Sequence, residues 1–209
     1  MKEKKYLTIA SHYERCFEKY GDCHLGVDWP DYNDAKMRYK VMLEIIDLSY
    51  HKEIELLDFG CGVSHLYGFI KENKFSGIKY SGLDISEKFI AFSKKKFPNN
   101  KYYCLDILEN GNKLGLFDYI ILNGVFTEKR TLTFDEMFYF MKQILIRLFQ
   151  KSKIGLAFNV MSSHVDWERD DLFHLPMDDL AHFLTKKLSR NFVINNNYGL
   201  YEYTTYLYR

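Results

Sequence analysis

The stretch Ile54-Glu-Leu-Leu-Asp58-Phe-Gly60-Cys61-Gly62-Val-Ser64-His65 constrains the fold of this chain more than any other. An apolar run ends at an acid, turns on two glycines and resumes with a helical pattern. It therefore reads as strand, tight turn and helix start. Gly60 and Gly62 lack a Cβ, which lets backbone approach a ligand closely and adopt positive φ. The N–H groups that open the following helix favour a negatively charged group. Such a unit is how an open α/β sheet holds a nucleotide-like ligand.

The next segments repeat the theme. Ile78-Lys-Tyr-Ser-Gly-Leu-Asp84-Ile85 reads as a second strand ending in an acid, with Ser86 capping a helix over 87–97. An acid there is placed to accept hydrogen bonds from both hydroxyls of a ribose. A third strand, Lys101 to Ile107, carries Asp106 at its end, and a fourth, Phe117 to Gly124, ends at Asn123 and glycine. Polar residues thus close four consecutive strands at the edge where open α/β sheets bind ligands. The runs 191–195 and 201–208, joined through Asn-Asn-Tyr198-Gly, predict an antiparallel hairpin.

The turn separates two ligand families. A dinucleotide site wants G-x-G-x-x-G, and the third position here is His65. Asp58-x-Gly60-x-Gly62-x-Ser64 instead resembles the D-x-G-x-G-x-G turn of class I S-adenosylmethionine-dependent methyltransferases, with serine for the third glycine. With Asp84 and Asp106 at matching intervals, the resemblance runs from about residue 53 to the C-terminus. It implies a Rossmann-like α/β fold: a mostly parallel sheet with a C-terminal antiparallel hairpin and helices on both faces. It implies S-adenosyl-L-methionine as cofactor and S-adenosyl-L-homocysteine as product. The residues expected to hold that cofactor are Asp58, Gly60, Cys61, Gly62, Asp84, Ile85, Asp106, Ile107 and Asn123.

At 209 residues with 47% hydrophobic content, the chain has room for one domain with a substantial core. The expected division is an N-terminal helical cap over 1–50, a cofactor core over 53–161, a substrate-side insertion over 162–185 and the terminal hairpin over 191–209. A net charge of +1 gives no field that recruits nucleic acid, and the lysine runs at 2–5 and 94–96 read as solvated faces. No apolar stretch reaches the length of a membrane span, and no secretory signal opens the chain. Cys16, Cys23, Cys61 and Cys104 show no metal-ligand spacing, so four reduced thiols in a cytoplasmic protein, and no metal site, are expected.

Two segments frame the acceptor side. Tyr6, Ala10, Tyr13, Phe17 and Tyr20 recur at helical intervals up to Gly21, and Asp31 or Asn33 caps a second helix running through Ile46. By the resemblance, these helices fold over the cofactor, with Tyr13, Trp29 and Arg38 touching it and Arg38 pairing with its carboxylate. The second segment is the polar loop after a fifth strand, Ile154 to Val160. Its His164 is the expected base for a hydroxyl acceptor, with Asp166, His174 and Tyr198 beside it as substrate or base candidates. The acids Asp166, Asp170 and Asp171 keep metal-assisted transfer in view.

Asn123-Gly-Val-Phe126 lacks the two prolines of the turn by which nucleic-acid amino-methylases resemble one another. The phrases Ala-Phe-Asn-Val-Met-Ser-Ser, Asp-Leu-Phe-His and Tyr-Gly-Leu-Tyr-Glu-Tyr look like a compact bacterial methyltransferase subfamily associated with polysaccharide or small-metabolite modification. The expectation is O-methylation of a small polar acceptor: a sugar, a nucleotide-linked sugar or a polysaccharide precursor. An N-methyltransferase acting on a small amine or nucleic acid, or a non-catalytic cofactor-binding protein, are the alternatives. A monomer or homodimer fits the aromatic terminal strand.

Overall fold

A computed structural model describes residues 4–48 and 53–209; the first residues of the N-terminal lysine-rich run lie outside the described part. One eight-stranded sheet organises the chain. Its strands are β1 (Ile54–Phe59), β2 (Ile78–Asp84), β3 (Lys101–Cys104), β4 (Phe117–Phe126), β5 (Ser152–Ser162), β6 (His174–Leu175), β7 (Phe192–Asn195) and β8 (Glu202–Tyr208). They lie in the order β3-β2-β1-β4-β5-β8-β7, with the short β6 beside β5. The pairs from β3 through β5 are parallel, whereas β8 runs antiparallel to both β5 and β7. The chain order reverses at β1, where the crossovers to β2 and β4 diverge and leave a crevice.

Seven α-helices accompany the sheet among the described residues: α1 (Leu7–Tyr20), α2 (Tyr32–Leu43), α3 (His65–Glu72), α4 (Glu87–Lys96), α5 (Ile107–Asn110), α6 (Phe134–Phe149) and α7 (Met177–Lys187). The central strands bury both faces, and side-chain alternation sorts them between two cores. Ile120 and Leu122 of β4, with Leu156 and Phe158 of β5, pack against Met141 and Leu145 of α6 and Leu184 of α7. Ile121 and Ala157, one residue out of phase, face Met42 of α2 and Leu66 and Ile70 of α3 on the other side.

Local chemistry sets the ends of these elements. Gly21 ends α1 at φ 72°, its N–H donating to Phe17 O at 2.8 Å. Asp31 caps α2 by accepting from Asn33 N at 2.7 Å and Asp34 N at 3.1 Å. Helix α2 stops at Leu43, so Ile46 lies beyond it. Ser86 caps α4 by accepting from Phe89 N. The third strand is shorter than the sequence predicts: it ends at Cys104, and Asp106 instead caps α5 by accepting from Leu108 N at 2.9 Å. A carboxylate one residue before a helix satisfies an otherwise orphaned donor, and that gain outweighs extending the strand.

Candidate functional site

Above the carboxyl ends of β1, β2 and β4, with α1 laid across them, opens a cleft with about 1140 Å³ of free space, its mouth included. Every residue expected to hold cofactor lines it except Arg38: Tyr13, Trp29, Asp58, Gly60, Cys61, Gly62, Asp84, Ile85, Asp106, Ile107 and Asn123.

The glycine turn works by close approach. Gly60 has φ 72°, and a Cβ there would lie 2.7 Å from Val125 Cγ2. Its N–H and that of Cys61 donate to Leu83 O at 2.7 and 3.0 Å, while Gly62 N donates to Asp84 Oδ2 at 2.9 Å. These three donors bind β1's turn to the end of β2 and precede the N–H groups that open α3. Ser64, at the third position of the motif, takes the left-handed conformation at φ 62° that glycine would adopt freely. Its buried hydroxyl sits 2.9 Å from Ser93 Oγ and 3.2 Å from the Tyr102 hydroxyl. Ser93 Oγ in turn donates to Gly62 O at 3.0 Å. These contacts hold the serine in a conformation that costs about 1–2 kcal/mol for a residue with a Cβ.

Acceptors dominate the polar wall. Asp58 is buried at the end of β1 and accepts from the Tyr80 hydroxyl at 2.7 Å. Burial, and more weakly the neighbouring Asp84, push its carboxyl up to about 7 against the pull of Tyr80. Burial likewise raises Asp84 to about 6, opposed by the N–H groups of Ser86 and Gly62. Asp106 Oδ2 already accepts from the Tyr6 hydroxyl at 2.6 Å, with Lys4 Nζ at 3.4 Å. Asn123 Oδ1 is buried without a hydrogen-bond partner. Among the described residues no lysine or arginine lines the cleft. A wall of three carboxylates and an unpaired amide oxygen repels the pyrophosphate of a dinucleotide and suits a ligand rich in N–H and O–H donors.

Arg38 serves elsewhere. Its Nε donates to Glu202 Oε2 at 2.8 Å, and its guanidinium lies 4.0 Å from the centre of the Trp29 ring. Glu202 Oε1 accepts from Asn159 Nδ2 at 3.0 Å, and Asn159 Oδ1 accepts from Gly124 N at 2.8 Å. A Cβ on Gly124, at φ 77°, would lie 2.9 Å from Trp29. Arg38 thus closes a buried ring of contacts that seats Trp29 and Gly124 in the cleft, and its charge is spent on Glu202 rather than on a ligand carboxylate.

The expected catalytic residues are not brought to the cleft. His164 and Asp166 are exposed on the loop after β5. Tyr198 lies 3.1 Å from Thr204 Oγ1 and 3.5 Å from Glu202 Oε1, behind the Arg38 ring of contacts. His174 lies 2.7 Å from Ser162 O through Nδ1, and Nε2 accepts from Arg169 N, so both ring nitrogens are occupied. The cause is visible in the backbone. Lys129 N and Arg130 N donate to Asp171 O, and Phe173 N donates to Thr127 O, which zips this loop onto the segment after β4. Asp171 itself pairs with Arg169 and Arg130, and the three loop acids form no converging ligand set among the described residues.

What closes the cleft instead is α1 and the loop carrying Trp29. Tyr13 lines it with its hydroxyl 3.5 Å from Gly124 O, and burial raises the phenol well above its usual range. His65, which also lines it, is lowered by burial and paired with Asp22 at 2.8 Å. Tyr39 was missed by sequence reasoning, because in α2 it reads as one more packing aromatic; it lines the cleft beside Trp29.

A family model described as a methyltransferase domain matches residues 57–144, from β1 into α6. Over that stretch the chain carries the pattern of a methyltransferase domain, and the matches support an S-adenosylmethionine-dependent methyltransferase. Rv1506c of Mycobacterium tuberculosis, which bears a methyltransferase name, is 25% identical over 152 residues, 70% of this chain and 88% of that protein. A malonyl-[acyl-carrier protein] O-methyltransferase of Acetivibrio thermocellus is 26% identical over 128 residues; the match spans 60% of this chain and 41% of the relative. Among solved structures, magnesium protoporphyrin IX methyltransferase of Synechocystis PCC 6803, crystallised with S-adenosylmethionine, superposes with TM-score 0.65. That match covers 99% of this chain and 98% of the other at 15% identity, so it speaks for the fold. The methyltransferase domain and its cofactor class therefore agree with the turn, the strand-end acids and the sheet order.

Proposed function

We propose that this methyltransferase domain methylates a small polar acceptor at oxygen, admitted between α1, Trp29 and the end of β4. The observation that carries the reading is the acceptor-rich wall of the cleft. S-adenosylmethionine supplies a methyl group on a cationic sulfonium, together with an ammonium, two ribose hydroxyls and an adenine amine, donors or positive charges that outnumber its single carboxylate. The unpaired Asn123 Oδ1 and the positive-φ cradle at Gly60 fit such a group. Asp84 would take the ribose hydroxyls, Asn123 the ammonium, and Asp106 with Ile85 and Ile107 the adenine edge. The rings of Tyr13, Trp29 and Tyr39, with the Gly124 carbonyl, offer negative faces and a lone pair to a sulfonium.

The chain's own contribution is mainly alignment, which supplies up to about 7–11 kcal/mol in a well-oriented reaction. Tyr13, held at the wall between α1 and Gly124, is the hydroxyl we assign to the acceptor side. The sugar or polysaccharide-precursor class rests on the resemblance of the loop and terminal phrases; no charged side chain of the cleft selects it. Calorimetric titration with S-adenosylmethionine and S-adenosylhomocysteine tests the cofactor reading, and a panel of small alcohols, sugars and amines followed by S-adenosylhomocysteine release tests the acceptor. Turnover on hydroxyl acceptors, reduced in Tyr13→Phe with cofactor affinity retained, is the expected result. Turnover confined to amines, or to nucleic acid, would overturn the oxygen assignment.

A further inference from the structure

We propose that His12, Cys16 and Asp28 form a binding site for one zinc-type divalent ion, which clasps the α1 cap to the turn carrying Asp28, with Glu128 of the segment after β4 beside it. His12 and Cys16 stand one turn apart on the same face of α1, the i,i+4 spacing that lets a helix present two ligands to one metal. Asp28 reaches them from the end of the 3-10 turn over His24–Val27, fixed in the left-handed conformation at φ 56°. Glu128 comes from the far side of the chain, just beyond β4, and is almost fully buried.

The distances suit three protein ligands of one ion, with Glu128 close to the histidine. His12 Nε2 is 3.6 Å from Cys16 Sγ and 3.7 Å from Glu128 Oε2. A metal with ligands at about 2.0–2.3 Å places neighbouring nitrogen, oxygen and sulfur donors about 3.5 Å apart. His12 Nε2 and Asp28 Oδ2 sit closer, at 2.7 Å, as a hydrogen bond that opens by less than about 1 Å to admit an ion. The potential ligand atoms of His12, Cys16 and Asp28 all lie within 4.8 Å of one another.

Charge is balanced as well. A thiolate and two carboxylates bring three negative charges, which a dication and the Arg130 guanidinium, 3.2 Å from Glu128, would match. On binding, the thiol proton passes to solvent, and imidazole and thiolate together favour zinc-like ions over magnesium or calcium. Asp28 is 38% exposed and opens the site to water, while His12 and Glu128 are mostly covered. None of the four lines the cofactor cleft, though His12 adjoins Tyr13, which does. The ion is thus a structural clasp beside the acceptor entrance, distinct from methyl transfer.

The test uses the whole chain, stripped with a chelator and titrated with Zn²⁺ by calorimetry and with Co²⁺ by absorption. One equivalent should bind, and Co²⁺ should show a thiolate charge-transfer band with tetrahedral visible bands. Cys16→Ser should abolish the charge-transfer band, and His12→Ala and Asp28→Asn should each weaken Zn²⁺ by more than about a hundredfold. Cys104→Ser should change nothing. S-adenosylmethionine titration of each variant verifies folding and keeps failure here separate from failure of the methyltransferase reading. Absence of the charge-transfer band in the wild-type protein, or equal Zn²⁺ binding by His12→Ala and Cys16→Ser, would overturn the clasp.

Discussion

The two ends of the cleft are built in opposite ways. Toward β2 and β3 the wall comes from strand ends: Asp58, Asp84 and Asp106 each close or follow a strand of a parallel set, and their spacing is a by-product of the βαβ repeat. Toward β4 the wall is assembled at long range, from Tyr13, Trp29 and Tyr39 meeting Gly124 and Val125. The first end depends on local geometry repeated along the chain. The second depends on a buried polar ring, Arg38–Glu202–Asn159–Gly124, that draws the cap, β4, β5 and the terminal strand together. A locally encoded wall and a wall assembled at long range thus meet in one crevice.

The contrast is broken most forcefully at Arg38. Arg38→Met leaves Glu202, 1% exposed, as a buried charge without its partner, and should cost about 3 kcal/mol. A chain of this size should then melt on the order of 10 °C lower. If Arg38 held the cofactor directly, affinity would fall with little change in melting. Gly60→Ala comes next: positive φ and the approach to Val125 should together cost on the order of 2–3 kcal/mol and weaken cofactor binding in the same calorimetric titration.

Asp84→Ala sharpens the comparison from the other end. Losing charge-assisted hydrogen bonds worth about 1.5–3 kcal/mol should weaken S-adenosylmethionine about 10- to 150-fold, and melting should fall as well because Gly62 and Ser86 lose the acceptor of their N–H groups. A pH series gives the sign. Ribose hydroxyls donate to the ionised carboxylate, so binding favours loss of the Asp84 proton. Affinity should rise as pH passes about 6, being about tenfold weaker at pH 5 than at pH 7, and Asp84→Asn should flatten that rise. A rise continuing through pH 7 would assign it to Asp58 instead. Folding has the reverse dependence: both carboxyls are raised by burial, so their folded-state penalty grows from about pH 4 and is complete above about pH 7. The smallest effect is expected at His164→Ala, within about 0.5 kcal/mol in stability and without change in turnover.

What could be read from the residues follows the same division. The glycine turn, the strand-end acids, the cap at Ser86 and the terminal hairpin are legible because each is encoded within a few neighbouring positions. The acceptor side was not, since the polar loop after β5 looks catalytic until its backbone is seen bound to Thr127, Lys129 and Arg130. Arg38 looked like a ligand group because its partner lies 164 positions away. His12 and Cys16 escaped notice because cysteine spacing was compared only with other cysteines, and Asp28 and Glu128 join them only in the folded chain.

Glu202 carries a consequence for biosynthesis. A translating chain exposes the glycine turn and all three strand-end acids long before this residue leaves the ribosome. Until it arrives, Arg38 has no buried counter-charge and Asn159 no acceptor for its amide, so the ring of contacts beneath Gly124 and the indole is incomplete. The β4 end of the cleft is therefore completed late, when the carboxyl-terminal strand slots in, after the strand-end acids are already in place.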